Sequence, residues 1–257
     1  MLILCSIPKS YINIGTLSRM DVRNLVKSDQ KTHLVTQDNE LIRSCYTMTV
    51  VEKRLLLLGI QKIDPTTLPL TEKPASFTVT ASEYANIFPD GQNPWRALKR
   101  AAKRLRTRYV KFHVKTGIER EINWVDSIDY LSCDSSVTVH FSYSMHTRLA
   151  GMLEQFTQFS IHEIKRIRTM YGIRLFELLS QFKATGYLVI TVKDYRFALD
   201  CVNKYRTIAE LKRNTLIPAL KDLERNANLQ IQVTDLKEKR KITHFQFIFN
   251  SNDLALC

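Results

Sequence analysis

Glycine and proline are scarce in this chain, with only 7 of each among 257 residues. A turn-dense β-sandwich and a nucleotide-binding fold built on glycine loops are therefore disfavoured, and helices joined by short hairpins suit the composition better. Cysteine is sparse too. Cys5, Cys45, Cys133, Cys201 and Cys257 are odd in number and never spaced as Cys-x-x-Cys, which argues against a disulfide framework or a structural zinc site and fits a reducing cytoplasm. The apolar opening from Met1 to Pro8 lacks a basic leader, and no run approaches the roughly 20 apolar residues of a membrane span, so a soluble protein with no membrane partner is expected. Catalytic signatures are missing as well. The six histidines (His33, His113, His140, His146, His162, His244) never stand as His-x-His, and there is no P-loop and no Gly-x-Ser-x-Gly elbow. ATPase, hydrolase and metal-dependent DNA-nicking readings have no nucleus, and a non-enzyme without cofactor or metal is expected. Asp126 and Asp129 could hold a metal on paper but read better as a solvated strand edge.

What is plentiful is positive charge. Lys and Arg number 38 against 25 Asp and Glu, a formal net charge of +13, so the expected large partner is a polyanion.

Residues 1–38 lack sustained periodicity and read as a poorly ordered arm. Helical patterns follow at Glu40–Tyr46 and Val50–Ile60, the second with a buried leucine face and Thr49 placed to cap it. After a short strand at Phe77–Thr80 and a helix at Ser82–Phe88, Asn93-Pro94 opens the clearest local pattern in the chain. At about 100° per residue, Trp95, Leu98, Ala101, Ala102, Leu105 and Tyr109 share one side, and Arg96, Lys99, Arg100, Lys103, Arg104 and Arg106 the other. No acid occurs between Asp90 and Glu119. A merely solvated face usually interleaves Glu with Lys, so phosphate contact is the preferred reading of this one. Strand-like runs then extend to Phe141. Helices, a basic helix and a hairpin in that order make a winged helix-turn-helix.

The pattern recurs. A helix at Tyr171–Phe182, a strand at Tyr187–Val192, a short helix from Lys193 and a basic helix from Thr207 to Asn226 precede an alternating hairpin, with Leu229, Ile231 and Val233 on one arm and Phe245, Phe247 and Phe249 on the other. The expected fold is therefore α+β with two tandem winged helices, at 39–158 and 159–250, and a tail at 251–257. On the second basic helix, Ile208, Leu211, Leu216, Ala219, Leu220 and Leu223 point inward, while Glu210, Arg213, Asn214, Ile217, Lys221 and Arg225 form a mixed outer arc. Arginine can fork onto guanine, asparagine can pair with adenine, and an exposed isoleucine can meet a thymine methyl. For Ile217, packing against the hairpin is an equal alternative. Pro218 removes one backbone donor, so the wheel can slip beyond it. Lys212 lies on the inward arc, its stem along the core and its ammonium expected to reach a phosphate. The hairpin tip, Lys237, Lys239, Arg240 and Lys241, suits phosphate or minor-groove contact.

The second half resembles the iteron-binding plasmid replication initiators. The resemblance rests on Gln155–Phe159, Tyr171–Phe182, Leu211-Lys-Arg213 with Ile217–Leu223, and Thr243–Phe249; looser matches in the first half are Asp38–Leu41, Val50–Leu57 and Glu83-Tyr-Ala85. It implies an initiator that binds directly repeated origin DNA as a monomer and melts adjacent duplex. It further implies a dimer through the first domain that represses its own gene at an operator. The host initiator, the replicative helicase and dimer-splitting chaperones are implied partners. The arm before residue 35 has no counterpart, which leaves Met20 as an alternative translation start. A winged-helix transcriptional repressor without initiator activity is the alternative function, and charge and fold do not separate the two.

Overall fold

A computed structural model describes residues 34–63, 73–89, 91–115, 118–150 and 155–250. The expected arm as far as residue 33, the tail at 251–257 and the question of Met20 lie outside the described residues.

The first element, β1 (Leu34–Asp38), already departs from expectation. It is a strand with Val35 and Gln37 fully buried, not the end of a poorly ordered arm. Its partner explains why local periodicity missed it. β1 pairs antiparallel with β7 (Phe156–Ser160), Leu34 opposite Ser160 and Asp38 opposite Phe156, so its order comes from a segment far along the chain. The same pairing moves the expected boundary at 158/159 into the middle of a strand.

Asp38 caps the short α1 (Asn39–Arg43) by accepting from Glu40 N at 2.9 Å. α2 (Val50–Lys62) opens on a capping box. Thr49 Oγ1 accepts from Glu52 N, and the Glu52 carboxylate accepts from Thr49 N. Every residue from Glu52 to Ile60 is buried, not one leucine face alone, because α2 is hemmed in by β1, β2 (Ser76–Thr80), the basic helix α4 (Pro94–Leu105) and α7 (Met170–Ser180). A Cβ on Gly59 would stand 2.3 Å from the Phe77 ring, so only glycine lets β2 lie this close to the helix.

From α2 the chain runs through β2, α3 (Ala81–Ile87) and α4, and then into two separate hairpins. β3 (Tyr109–Lys115) and β4 (Ile118–Asn123) form their own two-stranded sheet, while β5 (Val125–Leu131) and β6 (Ser136–Phe141) join β2 in the order β2-β6-β5. Only the second hairpin is the wing. Because α4 ends at Leu105, Tyr109 belongs to β3 and is exposed, not on the inward side of the helix.

α5 (Tyr143–Ala150), β7 and α6 (Ile161–Ile164) lead to α7, from which the order repeats. β8 (Tyr187–Thr191), α8 (Val192–Ala198), α9 (Ile208–Leu211), a π-helical turn (Lys212–Leu216) and α10 (Ile217–Ala227) are followed by the wing strands β9 (Ile231–Glu238) and β10 (Lys241–Phe249). Their sheet has the order β8-β10-β9. Each winged helix is thus helix, strand, helix, basic helix and hairpin, and in each three-stranded sheet the first strand pairs with the last. Phe245 and Phe247 of β10 are fully buried, and the ring of Phe245 meets that of Tyr195 on α8 edge-on at 5.2 Å.

Candidate nucleic-acid interface

α4 is built as its pattern predicts. Asn93 Oδ1 accepts from Arg96 N at 2.9 Å, and Pro94 occupies the first turn. Leu98, Ala101, Ala102 and Leu105 are buried, which turns Arg96, Lys99, Arg100, Lys103, Arg104 and Arg106 outward. Among the described residues, no carboxylate pairs with Arg96, Arg100, Lys103 or Arg106. Arg104 approaches Glu52 only to 3.9 Å, since that carboxylate is already forked by Arg108 at 2.9 and 3.2 Å. Lys99 rests its ammonium between the rings of Trp95 and Tyr130, 5.7 and 5.6 Å from their centroids. Tyr130 stands on the wing strand β5, which packs against the cationic helix; burial there raises its pKa, and the charge of Arg106 opposes that rise. That wing carries Asp126, Asp129 and Asp134 and no lysine or arginine; Asp129 meets His140 at 2.9 Å.

In the second domain the helix changes character part-way. Pro218 has no N–H to donate, and in regular α-helix its ring would crowd the carbonyl four residues back. The chain answers with the π turn, closed by Ile217 N donating to Lys212 O. Side chains add bonds within the turn, Asn214 Nδ2 donating to Glu210 O and Thr215 Oγ1 to Leu211 O, each at 2.8 Å. The expected slip is real. Thr215 and Asp222 join the buried set, and Leu220 is half-buried. Arg213, Asn214, Ile217, Lys221 and Arg225 all stay exposed. Ile217 is 42% exposed, outside the core. Asn214 spends one amide hydrogen on the backbone, and the residue is exposed.

Lys212 does not present a free ammonium. Its Nζ lies 2.9 and 2.8 Å from the two carboxylate oxygens of Asp235 on β9, so the expected reach to phosphate is replaced by a clamp between this helix and the wing. Lys237, Lys239, Arg240 and Lys241 are exposed around the wing tip, where Lys239 has a left-handed backbone at φ 56°.

Sequence reasoning overlooked two features here. Asp222 is 5% exposed and accepts from Arg168 N at 3.1 Å, Thr169 N at 2.7 Å, Thr169 Oγ1 at 2.5 Å and Asn226 Nδ2 at 2.7 Å. It thereby fastens α10 to the start of α7. A Cβ on Gly172 would stand 2.7 Å from its Oδ2, so glycine is what admits the carboxylate. Arg168, whose backbone N–H donates to that carboxylate, is exposed beside the tie and adds a cation to it. An acid at an inward helical position was the available signal. Among the described residues, no three His, Cys, Asp or Glu side chains gather in a group that could hold a metal, and no helix is long and apolar enough to cross a membrane.

Comparison with known proteins agrees with this architecture. The profile described as "Initiator Replication protein, WH1" matches residues 34–180 and "Initiator Rep protein, WH2" residues 191–249. The chain is 28% identical over 212 residues to an uncharacterized 27.6 kDa protein of Escherichia coli, covering 76% of this chain and 86% of that one. It is 26% identical over 207 residues to a replication initiation protein of Escherichia coli, covering 78% of this chain and 65% of that protein's length. A crystal structure of the Pi initiator protein in complex with iteron DNA superposes with a TM-score of 0.69 at 18% identity, over 85% of this chain and 97% of that one. At that identity the likeness speaks for the fold.

Proposed function

The chain belongs to the family of initiator replication proteins that join a WH1 to a WH2 domain, and from that premise we propose that it starts plasmid replication by binding directly repeated duplex sequences at an origin. The observation that carries this reading is the pairing of two reading helices, each with its cations turned outward and its apolar residues in a core. The iteron DNA bound by the structural neighbour supports it.

In this reading the second domain selects sequence. Arg213 forks onto a guanine, Asn214 meets an adenine edge and Ile217 a thymine methyl in the major groove, while the Lys237–Lys241 tip grips phosphate. The first domain adds phosphate contacts from α4 that carry affinity and no sequence information. The chain acts by binding, with no catalytic step of its own. Its monomer opens the duplex beside the repeats, its dimer represses its own gene, and the host initiator, replicative helicase and chaperones complete the process in the cytoplasm.

Supplying the full chain in trans to a plasmid that carries only the origin tests this. Maintenance of the plasmid is expected. Its loss, with operator repression intact, would make the protein a repressor.

A further inference from the structure

The first helices of the two winged helices, α2 and α7, meet across the seam between the domains, and their contact is ionic and dry. Lys53 of α2 and Arg174 and Glu177 of α7 are at most 1% exposed, and Tyr46 is 5% exposed. Lys53 Nζ lies 2.6 Å from Glu177 Oε1 and 2.7 Å from the Tyr46 hydroxyl. Arg174 Nη1 lies 2.7 Å from Glu177 Oε2 and 2.5 Å from the same hydroxyl. Arg174 Nη2 reaches the carbonyls of Ile42 at 2.6 Å and Ser44 at 2.9 Å in the first domain, and Ala198 at 3.0 Å in the second.

Such a cluster is a poor source of stability, because desolvating three charges costs about what their attraction returns and apolar side chains of similar volume would serve as well. What it supplies is a unique arrangement. An apolar seam tolerates sliding, since apolar contacts are non-directional. Here a slide of about 1 Å would break bonds to both domains together and strand a charge in a dry place. The two helices it joins are those on which the reading helices rest. α4 packs on α2, and Asp222 fastens α10 to the start of α7.

We propose that the Lys53–Glu177–Arg174–Tyr46 cluster is a register lock that fixes the spacing and rotational phase of α4 and α10, so that both domains read one duplex site of a single internal spacing. The proposal rests on the reading that both helices bind DNA. These four are positioning residues, remote from the bases.

The full chain would first recover its site from a randomised duplex library, footprinting would mark the two contacted segments, and base pairs would then be inserted between them. The wild type should lose about tenfold or more in affinity for one or two inserted pairs. Tyr46→Phe and the double variant Lys53→Met with Glu177→Gln should bind the original site up to about tenfold more weakly, through lost preorganisation, yet lose less than about threefold on insertion. A wild type indifferent to insertion, or folded variants with the full wild-type penalty, would overturn the proposal. A measurement independent of those variants uses spin labels on Cys133, which is exposed, and on Ala184→Cys, with Cys5 and Cys257 changed to serine. One narrow distance distribution is expected, and a broad one overturns the lock. A chain that recovers no site removes the DNA reading and this proposal with it, whereas one that recovers a site but accepts any spacing removes the proposal alone.

Discussion

The two winged helices share one topology and divide their charge in opposite ways. In the first, α4 carries five cations and no acid, and the wing carries three aspartates and no Lys or Arg. In the second, residues 208–227 mix four cations with three acids, and the wing carries four cations around its tip. A helix whose polar face is cationic at every position suits a run of phosphates, and an acidic wing is repelled by them. A mixed helix can discriminate between bases but needs anchoring, for which a basic wing is suited. The contrast teaches that one fold can divide its charge in two ways, and in the proposed reading it makes the first domain a grip and the second a reader, according to which element of each is cationic.

The largest effect expected from breaking this contrast is on the grip. Changing Lys99, Arg100, Lys103 and Arg104 to alanine should flatten the slope of log affinity against log salt by about 3 to 4, at about 0.9 per lost phosphate contact, and leave the preferred sequence unchanged. Titrations at several salt concentrations measure it, and an unchanged slope would take α4 off the DNA. The reader should respond differently. Arg213→Ala should cost about 1–3 kcal/mol and relax preference at one base position, whereas a phosphate contact would weaken all sequences alike. Selection on randomised repeats separates these outcomes. Retention of the full preference by Arg213→Ala would move reading to the wing or the first domain.

Whether the halves behave as one body can be sharpened by pH. Burial pulls the Lys53 ammonium down to about 8 against the attraction of Glu177. An unfolded lysine titrates near 10.4, so between those values the unfolded chain binds more protons. Folding stability should therefore rise as pH climbs through that window, by on the order of 1–3 kcal/mol, and Lys53→Met should lack the rise. Burial works to raise the Glu177 carboxyl, but the Lys53 and Arg174 charges reverse this and hold it below its ordinary value. Its contribution is complete above the unfolded value and is lost as pH falls through the lower, folded one. Urea midpoints across both windows, compared between wild type and Lys53→Met, read these slopes. A wild type that matches Lys53→Met above pH 8 would put Lys53 in water.

Much of this was legible in the sequence wherever order is local. The Asn93-Pro94 start and the outward cations of α4, the Thr49 cap and the alternation of the last hairpin follow from periods of 3.6 and 2 that need no partner. Pro218 announced a disturbance without revealing its π form. Features made by distant pairing were hidden. β1 is ordered by β7, Lys212 is neutralised by Asp235 on another element, and the second first-domain hairpin had no local mark that set it apart from the first. Lys53, Arg174 and Glu177 sit among leucines and a phenylalanine in helical runs. Nothing in their spacing says that they meet, because an ion pair between two helices has no sequence period.

The smallest expected effect compares the wing tips. Each carries a non-glycine residue in the left-handed region, Ser135 at φ 51° and Lys239 at φ 56°, where a Cβ crowds the neighbouring carbonyl. Glycine at either position removes that crowding while adding freedom to the unfolded chain, so Ser135→Gly and Lys239→Gly should shift stability alike, each by less than about 1 kcal/mol. On DNA the two should part. Ser135 belongs to the acidic wing and its replacement should leave the salt dependence untouched, whereas Lys239→Gly should lower the slope by about 0.9, one phosphate contact. Thermal melts and salt titrations of both variants provide the comparison. Equal slopes for the two would show that the second wing stands off the duplex, and the grip would then belong to α4 with whatever cations flank α10.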